Sequence, residues 1–187
     1  MLQGEAREAA WGFCLVDRDW SVENYVLIPG AVYAGNRFHA ERYDYSPPQV
    51  GPAPDGIDRT PWIGDLPRLN LKPGNSHLDQ MSIDAATPGI GIYFPGRKKA
   101  LCILTVQRNE WGTFGLEVIE NEDRTRAEVL LTSPGLRKEK YFSFLHGYRE
   151  PSKDRAADFK QGEQLTLDFR PFWFDCGSVQ ALFDFIF

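Results

Sequence analysis

GIGIYFPGRKKALCILTVQRNEWGTFGLEVIENEDRTRAEVLL, residues 89–131, is the stretch whose reading decides the fold. Residues 89–94 mix Ile, Tyr and Phe with Gly, and Pro95-Gly96 stops them at once. Runs this short are ambiguous between strand and helix on periodicity alone, so flanking turn residues and β-branched or aromatic content decide. Ala100 to Val106 is nearly continuously apolar, the pattern of a strand covered on both faces. Asn109-Glu110-Trp111-Gly112 turns the chain, and residues 113–120 alternate imperfectly. Residues 121–125 form a charged turn, and Ala127 to Leu131 pairs back. Strands this short, separated by turn signals at regular intervals, predict an antiparallel meander.

Working outward, Trp11 to Val16 reads as a strand ending at Asp17-Arg18-Asp19. Residues 22–32 read as another, interrupted at Pro29-Gly30 by a bulge or an edge position. Ser133-Pro134-Gly135 breaks the meander, and Tyr141 to Leu145 resumes a strand. Residues 150–159 are expected to form one or two helical turns. Residues 164–170 alternate strictly, with Leu165, Leu167 and Phe169 on one face, and predict the cleanest strand of the chain. Pro171 to Phe174 extends it past a kink. Ser178 is a good N-cap, and Val179, Leu182, Phe183 and Ile186 follow at helical spacing. The expected fold is therefore all-β: a two-layer antiparallel β-sandwich with one long ordered loop and a short C-terminal helix. Residues 1–175 are read as the sandwich domain. Residues 176–187 are read as the start of a linker helix to a further domain, or as a tail packed on the sandwich.

The long loop is read over residues 36–88. Connections in compact domains usually run about 4–6 residues, and structureless ones beyond roughly 15 are usually functional or disordered. Here Phe38, Tyr43, Tyr45, Trp62, Leu66, Leu69, Leu71, Leu78 and Met81 supply apolar area that argues for order. Pro47-Pro48, Pro52 and Pro54 stiffen the first half. Asp55-Gly56 and Pro73-Gly74-Asn75 mark turns.

Composition narrows the classes of function. The chain has 187 residues, suited to one domain, with 13 Phe, 7 Tyr, 5 Trp, 17 Gly and 13 Pro. A net charge of −5 argues against nucleic acid as a partner. Arg97-Lys98-Lys99 follows Pro95-Gly96 and reads as a solvated hairpin turn. Cys14, Cys102 and Cys176 show no C-x-x-C spacing, so neither a zinc ribbon nor a redox motif is expected. The three histidines, His39, His77 and His146, are far apart, and no cofactor or metal is expected. No stretch approaches the ~20 apolar residues of a membrane-spanning helix, and residues 1–10 lack the apolar core of a signal peptide. As it stands, the chain reads as soluble and cytoplasmic, with no membrane partner; the true compartment stays unknown, because an added start at Met1 leaves room for a lost export signal.

Four segments together resemble a known module. They are NYVLIPGAVYAGNRF (24–38), DLPRLN (65–70), KQGEQLTLDFRPFWF (160–174) and VQALFDFIF (179–187). The combination looks like the N-terminal β-sandwich of bacterial glycoside hydrolases whose catalytic part is an (α/α)6 toroid. That module is similar in fold to galactose mutarotase, a large supersandwich. The resemblance implies that the last strand leads into a linker helix and then a helical catalytic domain. It also implies that the main catalytic carboxylates lie in that other part, and that sandwich loops reach the sugar cleft.

The loop carries what sugar recognition requires. Trp and Tyr offer flat amphipathic plates, and Asp, Asn and Arg offer directional bonds. Asn36, Arg37, Tyr43, Trp62, Asp65 and Arg68 are the candidate substrate-binding residues, with His39, Arg42 and Asn70 beside them. The competing expectation is that the aromatics are hydrophobic pegs and Asp65–Arg68 a local ion pair. Glycoside cleavage needs two carboxyl groups about 5–10 Å apart, and sequence nominates no such pair, so catalytic residues stay unassigned. The function expected is a non-catalytic carbohydrate-associated module of a glycoside hydrolase-like protein. Its alternatives are a stand-alone mutarotase-like epimerase or glycosidase, and a protein-interaction module. Expected partners are a carbohydrate and either a C-terminal helical catalytic domain or a second copy meeting the apolar tail.

Overall fold

The computed structural model describes residues 5–37, 67–71, 74–136, 141–143, 148–150 and 156–187. The strands run β1 (Ala6–Ala9), β2 (Trp11–Asp17), β3 (Tyr25–Leu27), β4 (Ser76–Met81), β5 (Gly89–Phe94), β6 (Lys99–Thr105) and β7 (Arg108–Asn109). They continue β8 (Gly112–Thr113), β9 (Gly115–Glu120), β10 (Ala127–Ser133), β11 (Tyr141–Ser143), β12 (Tyr148–Glu150), β13 (Ala157–Phe159) and β14 (Phe169–Asp175). Helix α1 (Val179–Ile186) closes the described chain. Two 4-stranded antiparallel sheets dominate, with strand orders β2-β10-β9-β4 and β14-β6-β5-β3.

The sheets lie face to face because each presents an apolar face. Leu78, Leu116, Val118, Ala127, Val129 and Leu131 come from the first sheet. Val26, Ile90, Ile92, Phe94, Leu101 and Ile103 come from the second, and all belong to one buried cluster. This is the expected two-layer all-β sandwich, but the meander is split: β5 and β6 pair in one sheet, β9 and β10 in the other, and the small β7–β8 hairpin lies between them in the chain. The continuously apolar β6 is covered on both faces, as its composition required. Its outer face meets α1, where Leu27, Ala100, Cys176 and Leu182 form a second buried cluster. The Ser178 hydroxyl accepts from the Ala181 amide at 3.2 Å, satisfying an otherwise orphaned helix donor. The apolar tail thus packs on the sheet, and its approach is close: a Cβ built on Gly91 would lie 2.9 Å from Ile186 Cδ1. No helix among the described residues is long and apolar enough to cross a membrane.

Several expectations need correction. The stretch 36–88 is not one loop, since β4 and a 3-10 turn at Ser82–Asp84 lie inside it. The strand was hidden because Ser76 and Gln80, which are polar, share the buried face with Leu78. Residues 164–168 alternate in burial but join no ladder, and β14 begins only at Phe169. Side chains take the place of a partner strand there. Trp111 Nε1 donates to Gln164 O at 3.0 Å, Asn109 Nδ2 to Thr166 O at 3.0 Å, and Thr105 Oγ1 to Asp168 O at 2.7 Å.

Pro171 lies inside β14, opposite Ile103, where an edge strand tolerates its missing donor. The expected helical turns of 150–159 are replaced at Ala157–Phe159 by β13, which pairs with β1; residues 151–155 lie outside the described chain. Of residues 22–32, only Tyr25–Leu27 joins the sheet. Pro29-Gly30 then turns the chain into an Ile28–Val32 bridge.

Candidate functional site

One end of the sandwich gathers the charged and aromatic groups. Register aligns Ser76, Glu120, Ala127 and Asp17 across the first sheet at that end. Strand alternation puts Glu120 on the same face as Leu116 and Val118, so its carboxylate enters the space between the sheets. Its side chain is 0% exposed, and the flanking Arg37 and Arg124 side chains are 8% and 6% exposed.

An isolated buried carboxylate would be very costly, so its partners matter. Trp20 Nε1 donates to Oε1 at 2.7 Å and Arg37 Nη1 to Oε2 at 3.0 Å. Arg37 Nη2 and Arg124 Nη1 complete the set on Oε1 and Oε2 respectively. Arg37 therefore grips the carboxylate as a fork. A carboxylate offers about four acceptor sites, and here all are taken. Glu120 in this arrangement is a pin and not a proton acceptor for a substrate.

The pin holds the base of the long excursion. Ala34, Gly35 and Asn36 all have positive φ, of 51°, 65° and 50°. Gly and Asn tolerate this left-handed region far better than other residues. Asn36 reinforces it: its Oδ1 accepts from the Tyr33 amide at 3.0 Å, and its Nδ2 donates to Ala31 O and Pro67 O, both at 2.9 Å. The Leu69 amide donates to Gly35 O at 2.8 Å, and Arg37 Nη1 also donates to Asn70 O at 2.9 Å. Asn70 is fastened in turn, its amide donating to Ser76 Oγ at 2.7 Å. The chain on either side of residues 38–66 is thus stitched together on top of Glu120, with Leu69 fully buried beneath.

Of the candidate binding residues, Asn36 and Arg37 sit at this base and are used in it. Arg68 lies half-buried between Pro67 and Leu69. Tyr43, Trp62 and Asp65 lie outside the described residues, as do His39 and Arg42. Sequence reasoning missed Glu120, Arg124 and Trp20. The signal existed: Glu120 continues the two-residue rhythm of Leu116 and Val118, and Arg124 follows it by four.

The network continues across the sandwich end. Trp20 meets Phe94 edge-on, with centroids 6.1 Å apart, and the Arg97 guanidinium lies 4.8 Å over the same Phe94 ring. Arg97 donates from Nη2 to Asp17 Oδ1 at 2.9 Å and from Nε to Asp19 Oδ2 at 3.2 Å. The Asp17 bond raises the Arg97 pKa further above its already high ordinary value. Arg97 is therefore folded back across the gap between the sheets, which corrects the expectation of a merely solvated hairpin.

Elsewhere, His77 Nε2 lies 2.8 Å from Glu117 Oε2 on the outer face of the first sheet. Among the described residues, no group of three or more His, Cys, Asp or Glu is placed to hold a metal. No protein-family model, curated protein or solved structure matches this chain.

Proposed function

We propose that this chain is a non-catalytic, carbohydrate-associated β-sandwich module of a glycoside hydrolase-like protein. The excursion at residues 38–66 contributes to a sugar cleft at the sandwich end. The observation that carries this reading is the fastened base at Gly35–Arg37 and Pro67–Asn70. An excursion carrying Trp62, Tyr43, Tyr45, Arg42, Arg59 and four Asp leaves and rejoins a rigid scaffold at one charged, aromatic end. Binding loops held by a rigid scaffold are the usual arrangement for recognition.

Two further features support it. The residues carrying the resemblance to sandwich modules of toroid glycoside hydrolases include both sides of this base. Helix α1 also follows β14 directly, where such a module has its linker helix. The full occupation of Glu120 by Trp20, Arg37 and Arg124 argues against a catalytic role for that carboxylate.

A glycan microarray probed with the wild-type chain and with Trp62→Ala tests the proposal. The expected result is binding to at least one glycan class, lost in Trp62→Ala while the circular dichroism spectrum is unchanged. Absence of any glycan signal, or binding indifferent to Trp62, would remove the reading in favour of a protein-interaction module.

A further inference from the structure

We propose that Trp173, with the ion pairs beside it, forms a second glycan subsite on the β14 edge. Its ligand would be a neutral oligosaccharide long enough to reach it from the loop base. The inference rests on the carbohydrate reading above and adds a location and a ligand class.

Trp173 stands opposite Leu101 in register, and Leu101 belongs to the core between the sheets. Residues paired across strands share a face, so the indole is on the inner side. It is nevertheless 53% exposed, because β14 is the edge of its sheet. The ring is not loose. It rests on buried Phe94, with centroids 5.4 Å apart at 50°. Phe94 is itself fixed by Trp20 and capped by Arg97. A fixed, exposed indole of this kind can hold a sugar only with a polar partner beside it.

Its surroundings supply one. Asp175 and Lys99 are the neighbouring register pair on the same face, joined at 2.5 Å. On the other contact of Phe94, Arg97 is held by Asp17 and Asp19. The Asp175 and Asp19 carboxylates are 91% and 90% exposed, and Lys99 and Arg97 remain partly exposed. A flat plate can take the C–H face of a pyranose, while acceptors and donors on both sides take its hydroxyls. Charges of both signs, already paired, favour an uncharged ligand over a polyanion. The contact chain Trp173–Phe94–Trp20–Glu120 joins this plate to the base of the 38–66 excursion. The linking side chains Phe94, Trp20 and Glu120 are buried, so a ligand meeting both points passes over them and must be a chain of sugars and not a single ring.

The test is a titration of the full chain, 15N-labelled at its 5 tryptophans, with four neutral β-1,4-linked hexasaccharides. These are the hexamers of glucose, mannose, xylose and N-acetylglucosamine, and the indole N–H resonances are followed by NMR. The Trp173 resonance is assigned by its loss in Trp173→Phe. The expected result is that it moves with one hexasaccharide, and that Trp173→Ala weakens that binding about tenfold. Trp173→Phe, which keeps a plate, weakens it less, and Trp11→Ala does not change it. If a hexasaccharide binds and shifts other indoles while Trp173 stays still and Trp173→Phe binds normally, the edge subsite is overturned and the loop reading stands. If none of the four binds, the edge subsite is overturned, and the glycan microarray decides the loop reading separately.

Discussion

Replacing Glu120 by Gln changes almost no volume and removes one charge. In the native cluster that charge sits between two arginines, at 0% exposure, and accepts four donors. The amide keeps one acceptor oxygen but turns an NH2 donor toward a guanidinium. Two buried cations then lose their compensation. Removing one partner of a buried ion pair typically costs about 3–5 kcal/mol. For a domain of this size each kcal/mol lowers Tm by roughly 2–4 °C, so a drop of about 6–20 °C is expected by calorimetry.

Glu128→Gln is the control, because its pair with Arg126 is partly exposed, with side chains 46% and 29% accessible for Arg126 and Glu128. Surface pairs contribute about 0–1 kcal/mol. A second variant separates charge compensation from packing. Replacing Arg37, Glu120 and Arg124 together by Met, Leu and Met removes all three charges, and such swaps are often near neutral. The reasoning is refuted if Glu120→Gln melts within about 2 °C of wild type, or if the triple apolar variant falls as far as the single one.

Three further outcomes are expected. Asn36→Ala loses three hydrogen bonds and keeps a positive φ, so it should cost about 2–3 kcal/mol in urea unfolding. Asn36→Gly restores the backbone freedom and should recover part of that loss. Gly91→Val places atoms against Ile186 and Leu182, and should expose α1 to limited proteolysis while the strand pattern by circular dichroism persists. Desolvation by the neighbouring sheet atoms, with the Glu128 charge beside it, raises the thiol of Cys14 above its ordinary range although the residue is exposed, and full burial pushes Cys102 up to about 12. The thiolate is the reactive form, so iodoacetamide should label exposed Cys14 slowly at neutral pH and faster as pH climbs past 9. Buried Cys102 and Cys176 should stay unlabelled in the native protein, as read by mass spectrometry.

The sheets were legible where side-chain chemistry and burial agreed. Residues 89–131 carry apolar inward positions and turn residues between them, so their strands could be read directly, but not the crossing from one sheet to the other after β6, which no local pattern marks. Strand β4 could not, because Ser76 and Gln80 occupy buried positions that hydrophobic periodicity leaves blank. Residues 164–168 show the converse. Leu165 and Leu167 alternate like a strand, but Trp111, Asn109 and Thr105 meet the carbonyls instead of a neighbouring strand. The pattern records burial, and burial does not require a ladder. At the candidate site, Asn36 and Arg37 have the chemistry to meet a ligand, yet their groups serve the loop base. What composition could not convey was Glu120, whose role depends on Trp20 and Arg37 arriving from distant segments.

Hydrogen exchange at the Leu69 amide tests most directly whether the excursion is fastened to the sandwich. That amide donates to Gly35 O across residues 38–66. The account predicts protection close to that of the Val118 amide in the sheet, and its loss in Glu120→Gln before the sheet opens. Exchange at Leu69 as fast as in an exposed turn, with Val118 still protected in the wild-type protein, would contradict it.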